Sequence, residues 1–257
     1  MADHAAPFHI WEGVFDSFPA AATLAAGLGF KGETYRQRSL SAARECLEAL
    51  KAGRPIPNFH KQRSTLLPPI VALMLGDRQR VRILDFGGGL GIGYMTLAES
   101  LANDLERVDY SIVEVAEVCA VGRQLFEGVS YLSALPAAGS YDLVHAASSL
   151  QYVERWQDLI ERFAALDSRY ILLSDVFAGA MDTFVTLQNY YESRIPHWFL
   201  NLEELLATCA KLGYRLAMKT YTTSRRLTTE DVLPMDNFPE ELRLQQSLHL
   251  LLQQRQR

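Results

Sequence analysis

The stretch Val81-Arg82-Ile83-Leu84-Asp85-Phe86-Gly87-Gly88-Gly89-Leu90-Gly91-Ile92-Gly93 decides the fold. Its first half is a short apolar run and reads as a buried strand. Its second half holds five of the chain's sixteen glycines within seven positions. Glycine costs entropy inside an element and is used where backbone bends sharply or meets a ligand closely. The residues that follow place Tyr94, Leu97, Ala98 and Leu101 at helical spacing. A strand, a glycine-rich turn and a helix in this order build a ligand site at the edge of an α/β sheet.

Outward from this point the chain alternates strands with helices. Further strands are predicted at Tyr110–Val115, Val129–Leu132, Tyr141–Ala146, Tyr170–Asp175, Tyr214–Tyr221 and Ser247–Gln253. Trp156, Leu159, Ile160 and Phe163 give one intervening helix its buried stripe, and Asn201-x-x-Glu204 is a capping box for another that Gly213 closes. Continuous apolar strands alternating with helices imply a seven-stranded, mostly parallel sheet covered on both faces, a Rossmann-like α/β fold. Residues 1–65 read as a helical cap or lid, and residues 66–257 as the cofactor-binding domain. In the first part, Ser39 or Ser41 caps a helix that runs to about Lys51 and stops at Gly53. Arg54-Pro55-Ile56-Pro57-Asn58 then breaks the chain before a helix over Ser64–Leu75.

Composition excludes several classes. The 257 residues are 49% hydrophobic with a net charge of −5, which rules out a disordered chain. Cys46, Cys119 and Cys209 are odd in number and 73 and 90 residues apart, so neither a disulfide framework nor a zinc knuckle fits. No apolar run approaches a membrane span, and Met1-Ala2-Asp3-His4 lacks a basic leader, so a cytoplasmic location is expected. A pI near 5.7 argues against a nucleic-acid partner. Residues 31–82 nevertheless hold eleven Lys/Arg against four Asp/Glu, and residues 83–210 hold six against eighteen. If the basic part faces the cleft, the acceptor is anionic, such as a nucleotide-linked or phosphorylated sugar.

The phase of the glycines selects the ligand. A dinucleotide fingerprint started at Gly87 puts its third glycine position on Ile92, and one started at Gly89 puts it on Tyr94. A phosphate-binding loop of the Walker type needs a lysine, and none occurs between 62 and 210. What fits is Asp85-x-Gly87-x-Gly89-x-Gly91 with Glu114 closing the second strand 29 residues on. This resembles motif I of class I S-adenosylmethionine-dependent methyltransferases. The resemblance implies that Asp85 accepts from the cofactor's ammonium, that Gly87, Gly88, Gly89 and Gly91 lie against its sugar, and that Glu114 takes the ribose hydroxyls. Ser133 and Ala134 after the third strand would neighbour the adenine, and Ser148 would border the methyl group. Trp11-Glu12-Gly13, Phe15-Asp16-Ser17-Phe18, Leu84–Gly91, Val113-Glu114 and Thr186-Leu187-Gln188-Asn189 also resemble a poorly characterised methyltransferase family associated with bacterial surface-polysaccharide biosynthesis. That family implies a small-molecule or glycan-type acceptor.

Methyl transfer is an in-line displacement, and a hydroxyl acceptor benefits from a general base. The fourth strand ends in Ser148-Ser149-Leu150-Gln151 rather than the Asp/Asn-Pro-Pro-aromatic run of amino-methylating enzymes, so oxygen is the expected target. His197 is the first candidate base, with Asp175 and His145 behind it. Acceptor contacts are expected from Gln151, Tyr152, Gln188, Asn189, Tyr190, Tyr191 and Arg194, with Trp11 and His60 from the cap. No trio of carboxylates marks a metal site. The competing readings are an NAD(P)-dependent oxidoreductase or epimerase on a related sheet, and a methyltransferase-like module that binds without turnover.

Overall fold

A computed structural model describes residues 8–222, 225–226, 229–230 and 232–255. Residues 1–7 of the predicted cap therefore lie outside the described residues. The N-terminal part contains strand β1 (Trp11–Phe15) and helices α1 (Phe18–Ala22), α2 (Glu33–Lys51), α3 (Asn58–Lys61) and α4 (Leu67–Asp77). Then follow β2 (Val81–Phe86), α5 (Ile92–Ser100), β3 (Val108–Val113), α6 (Ala116–Leu125), β4 (Val129–Leu132) and β5 (Leu143–Ala147). The chain continues through α7 (Trp156–Ala165), β6 (Tyr170–Val176), β7 (Ala178–Gly179), β8 (Phe184–Tyr190), β9 (Ser193–Asn201), α8 (Leu202–Lys211) and β10 (Tyr214–Tyr221), and it closes with the C-terminal strand Leu248–Gln254.

The main sheet has seven strands in the order β10, C-terminal strand, β6, β5, β2, β3, β4. β2 pairs in parallel with both β3 and β5, while the C-terminal strand runs antiparallel to β6 and β10. From β2 the chain moves outward to β3 and β4, then returns to place β5 on the other side of β2. That reversal is the topological switch point, where α/β sheets open a crevice beyond their strand ends. The central strands are apolar on both faces because both faces are covered. Leu84, Val144 and Leu173 pack under Trp156, Ile160 and Phe163 on one side, and Ile83, Leu143 and Leu172 pack under Leu67, Val71 and Leu97 on the other.

Three details depart from the sequence expectation. Helix α2 begins at Glu33, a turn and a half before Ser39, with Gly32 at its N-cap. Helix α4 starts at Leu67, where Pro68 sits in the first turn, and runs through Gly76 to Asp77. The third difference matters for the site. The polar segment from Gln188 to Trp198, to which the sequence reading assigned no strand, is a hairpin of β8 and β9 with Tyr191 in its turn at φ 53°. β1 adds to it antiparallel, giving a second sheet in the order β1, β8, β9, β7. Pro196 obscures this strand in the sequence, yet it is tolerated because only β8 pairs with β9 at that position. Half of the capping box forms: Asn201 Oδ1 accepts from Glu204 N at 3.0 Å, while Asn201 N donates to Thr183 Oγ1 and Glu204 Oε2 accepts from Thr183 Oγ1.

Candidate cofactor and acceptor site

The glycine loop leaves β2 at the switch point. Gly91 is the N-cap of α5 in left-handed backbone, φ 79°, which an L side chain rarely adopts. Gly88 has a different reason: a Cβ there would stand 2.4 Å from Asp85 Oδ2. The loop is thus folded tightly over Asp85, the fifth residue of β2.

Asp85 does not open onto the loop mouth. It is 1% exposed, accepts a hydrogen bond from Tyr110 Oη at 2.7 Å on Oδ2, and has His145 Nδ1 2.9 Å from Oδ1, out of line for a strong hydrogen bond. Asp85 thus lies beneath the loop and supports it from there, without the open position at the loop mouth that the sequence reading gave it. Burial first, and Asp85 second, push the Tyr110 phenol well above its ordinary value, so it stays a neutral donor.

Glu114 lies on the partly open edge just past β3. Its Oε1 accepts from Gly89 N at 3.2 Å and its Oε2 from Val115 N at 2.9 Å. Each oxygen keeps a lone-pair direction for a further donor. Burial raises its pKa, the two backbone bonds lower it, and the nearby Asp85 charge raises it again. Beside it, Gly89 leaves open space where a side chain would stand. A partly exposed carboxylate tied to a glycine loop can receive a sugar diol. Ser133 and Ala134 follow β4 and are exposed on the same side of the sheet. Helix α2 covers this region, with a cavity of about 280 Å³ between Tyr35, Ser39 and Leu40 of α2, Leu90 of the loop, and Val118 and Val121 of α6.

On the other side of β2, the ends of β5 and β6 form a second cluster. Asp175 is fully buried, with Oδ2 accepting from Arg63 Nε at 3.0 Å and Ser148 Oγ at 2.9 Å, and Oδ1 accepting from Ser247 Oγ at 2.5 Å. Ser148 and Asp175 both hold positive φ, 52° and 53°, strained backbone for residues with side chains. Gln151 Nε2 donates to Ser148 Oγ at 3.1 Å. In the sequence Arg63 reads only as one cation of the basic segment, and Ser247 is not singled out; they reach Asp175 from 112 and 72 residues away.

The three candidate catalytic groups are all buried away from the cleft. His197 is fully buried among Phe177, Phe199, Tyr152 and Trp11, with ring centroids 4.7 to 5.8 Å away. It alternates inward on β9, so the hairpin makes it a core residue. His145 is equally buried, with Nε2 3.2 Å from Ser174 Oγ, and Asp175 is committed to its three partners. Trp11 is 1% exposed and belongs to the core of the second sheet, not to an acceptor pocket.

The remaining predicted contacts divide. Tyr152 Oη donates to Gln188 Oε1 at 2.7 Å, and the rings of Tyr152 and Tyr190 lie 4.8 and 5.3 Å from Phe30, at the open side. Tyr191 is exposed beneath the Arg38 guanidinium. Asn189 and Arg194 serve the second sheet: Asn189 Nδ2 donates to His9 O, and the Arg194 backbone pairs with Ala26. His60 contacts Glu45 at 2.8 Å, joining α3 to α2. Among the described residues no group of three His, Cys, Asp or Glu could hold a metal, and no helix is long and apolar enough to cross a membrane.

Comparisons with known proteins bear on the fold and the family. Two solved structures share the fold at 14% identity. The 1,6-didemethyltoxoflavin-N1-methyltransferase of Burkholderia thailandensis, solved with 1,6-didemethyltoxoflavin and S-adenosylhomocysteine, aligns over 90% of this chain and 93% of its own with a TM-score of 0.51. The magnesium protoporphyrin IX methyltransferase of Synechocystis PCC 6803, solved with S-adenosylmethionine, aligns over 84% and 90% with a TM-score of 0.52. No curated protein matches the chain in sequence. A family model described as a methyltransferase domain matches residues 59–218, more than half of the chain and the whole run from α3 through β10's first half, glycine loop included. The chain belongs to the methyltransferase-domain family.

Proposed function

We propose that this protein transfers a methyl group from S-adenosylmethionine to oxygen of a small, sugar-type or otherwise ring-shaped acceptor. The observation that carries the reading is the Glu114 carboxylate, tied to Gly89 N across a glycine loop at the switch point. Glu114 receives the ribose hydroxyls, the loop backbone lies against the sugar, and Ser133 and Ala134 flank the adenine side. Asp85, with Tyr110 and His145, fixes the loop from below. Bound there, the cofactor supplies an electrophilic methyl on a sulfonium. The chain's own contribution is to place the acceptor in line with it, which accounts for much of such an acceleration. With His197, His145 and Asp175 buried, no base from these three residues assists.

Of the N-terminal segment, β1 belongs to the second sheet, and helix α2 acts as the lid, roofing the cavity beside Leu90. The methyltransferase family also sets the dinucleotide reading aside. Thermal-shift measurements test the proposal: S-adenosylhomocysteine should stabilise the protein and NADPH should not. Stabilisation by the dinucleotide alone would overturn it. Release of S-adenosylhomocysteine during incubation with acceptor mixtures separates an enzyme from a module that only binds.

A further inference from the structure

We propose that Arg63 recognises the acceptor, and that the acceptor is a hydroxyl-bearing ring carrying a carboxylate or a phosphate. This deepens the methyltransferase reading and rests on it.

Arg63 is anchored at one nitrogen and open at the others. Its Nε donates to Asp175, whose position Ser148 and Ser247 fix from two further directions. Neither Nη makes a hydrogen bond to the described residues, and the side chain is 51% exposed. Yet Asp175, Tyr152 and Tyr190 are near enough to act on its charge, so this exposure is that of a cleft wall. Burial is the largest influence and disfavours the guanidinium charge, but Asp175, Tyr152 and Tyr190 together outweigh it and the group stays cationic. A guanidinium held this way presents a planar fork of donors, the geometry that matches two oxygens of a carboxylate or phosphate.

The surroundings fit a ring. The partly exposed rings of Phe30, Tyr35, Tyr152 and Tyr190 form one cluster with centroids 4.8 to 6.1 Å apart. Aromatic faces of this kind pack against flat or ring-shaped ligands.

The position separates this anion site from the ribose site. Arg63 meets Asp175 at the end of β6, two strands from β2, while Glu114 follows β3 on the far side. At the usual strand spacing this Asp175 anchor lies roughly 10 Å across the sheet from β2, on the side away from Glu114. Three other basic groups of the cap are engaged: Lys61 pairs with Glu99 at 2.7 Å, Arg36 with Glu33, and Arg38 covers Tyr191. Of these four, Arg63 is the one anchored on a fully buried carboxylate.

The test titrates protein saturated with S-adenosylhomocysteine with glucose 1-phosphate, glucuronate and uncharged glucose, in wild type, Arg63→Met and Arg63→Lys. In wild type, at least one anion should bind about tenfold tighter than glucose, as a charge-assisted fork requires; which anion does so distinguishes phosphate from carboxylate. Arg63→Met should remove the preference. Arg63→Lys keeps a positive partner for Asp175 and should still lose several-fold, and it decides the matter if the methionine variant does not fold. Affinity for S-adenosylhomocysteine should stay within about threefold in both variants, because the site touches the acceptor alone. Equal binding of all three probes, or a preference that survives both variants, would overturn the proposal. So would a loss of S-adenosylhomocysteine affinity in Arg63→Met, which would assign the fork to the cofactor's own carboxylate. Failure of wild type to bind S-adenosylhomocysteine is a different result and removes the methyltransferase reading itself.

Discussion

The Asp85 carboxylate and the His145 imidazole lie 2.9 Å apart, Oδ1 to Nδ1, wholly inside the sheet on neighbouring strands. Tyr110 completes the group from the opposite neighbour, β3. A carboxylate at this depth is costly unless its oxygens are satisfied. Tyr110 satisfies Oδ2, while Oδ1 faces His145 out of line for a strong hydrogen bond, and the loop above takes its position from this cluster.

Tyr110→Phe tests that cluster. The change preserves shape and removes the donor to Asp85 Oδ2, leaving a buried carboxylate oxygen short of a partner. Such a loss costs about 1–3 kcal/mol. Urea unfolding should show it, and affinity for S-adenosylhomocysteine should fall with it as the loop shifts. Unchanged values in both would mean that the Asp85 cluster does not position the loop.

Gly88→Ala probes the same contact from above. Its new Cβ would meet Asp85 Oδ2 at 2.4 Å and Cγ at 2.7 Å, and neither atom has room to retreat past Tyr110 and His145. Overpacking of this sort costs about 1–3 kcal/mol. The expected readout is a lowered melting temperature together with weakened S-adenosylhomocysteine binding. Wild-type binding in the alanine variant would show that the loop tolerates a side chain facing Asp85.

The central parallel strands β5 and β6 were legible because burial on both faces makes them continuous apolar runs, and the edge strands β4 and β10 match their predicted bounds residue for residue. The glycine motif was legible because its spacing is local. What spacing does not carry is direction. Nothing in the string says that Asp85 turns inward to Tyr110, or that His197 faces Phe177 rather than a ligand. The second sheet was hidden for a related reason: β1 and β8 pair Trp11 with Gln188 across most of the chain, and Gly13 and Pro196 interrupt the strand pattern locally. Arg63 appeared only as one of many charges, because its partner Asp175 is 112 residues away.

His249 makes the fold acid-sensitive. It is buried on the C-terminal strand, and its pKa is lowered from 6.5 to about 4, mostly by burial and also by His145, while Asp175 opposes the shift. A depressed folded-state value means that the unfolded chain binds more protons below pH 6.5. Stability is then fully present above that pH and is lost progressively as pH falls toward 4, by about 3 kcal/mol at 1.36 kcal/mol per unit. Denaturant melts at pH 7 and pH 4.5 should show the loss, and His249→Gln should flatten the slope. An equal slope in the variant would place the acid sensitivity elsewhere.

The central claim is that Glu114 and the glycine loop hold the methyl donor. Calorimetric titration with S-adenosylhomocysteine, comparing wild type with Glu114→Gln across pH, tests it most directly. The raised Glu114 pKa predicts that wild-type affinity weakens on acidification sooner than an ordinary carboxylate would allow, since the ionised form accepts the ribose hydroxyls. Glu114→Gln should bind about ten- to a hundredfold more weakly at neutral pH, the loss expected for a charge-assisted pair of hydrogen bonds, and should lack that pH dependence. Equal affinity in the two proteins would contradict the account.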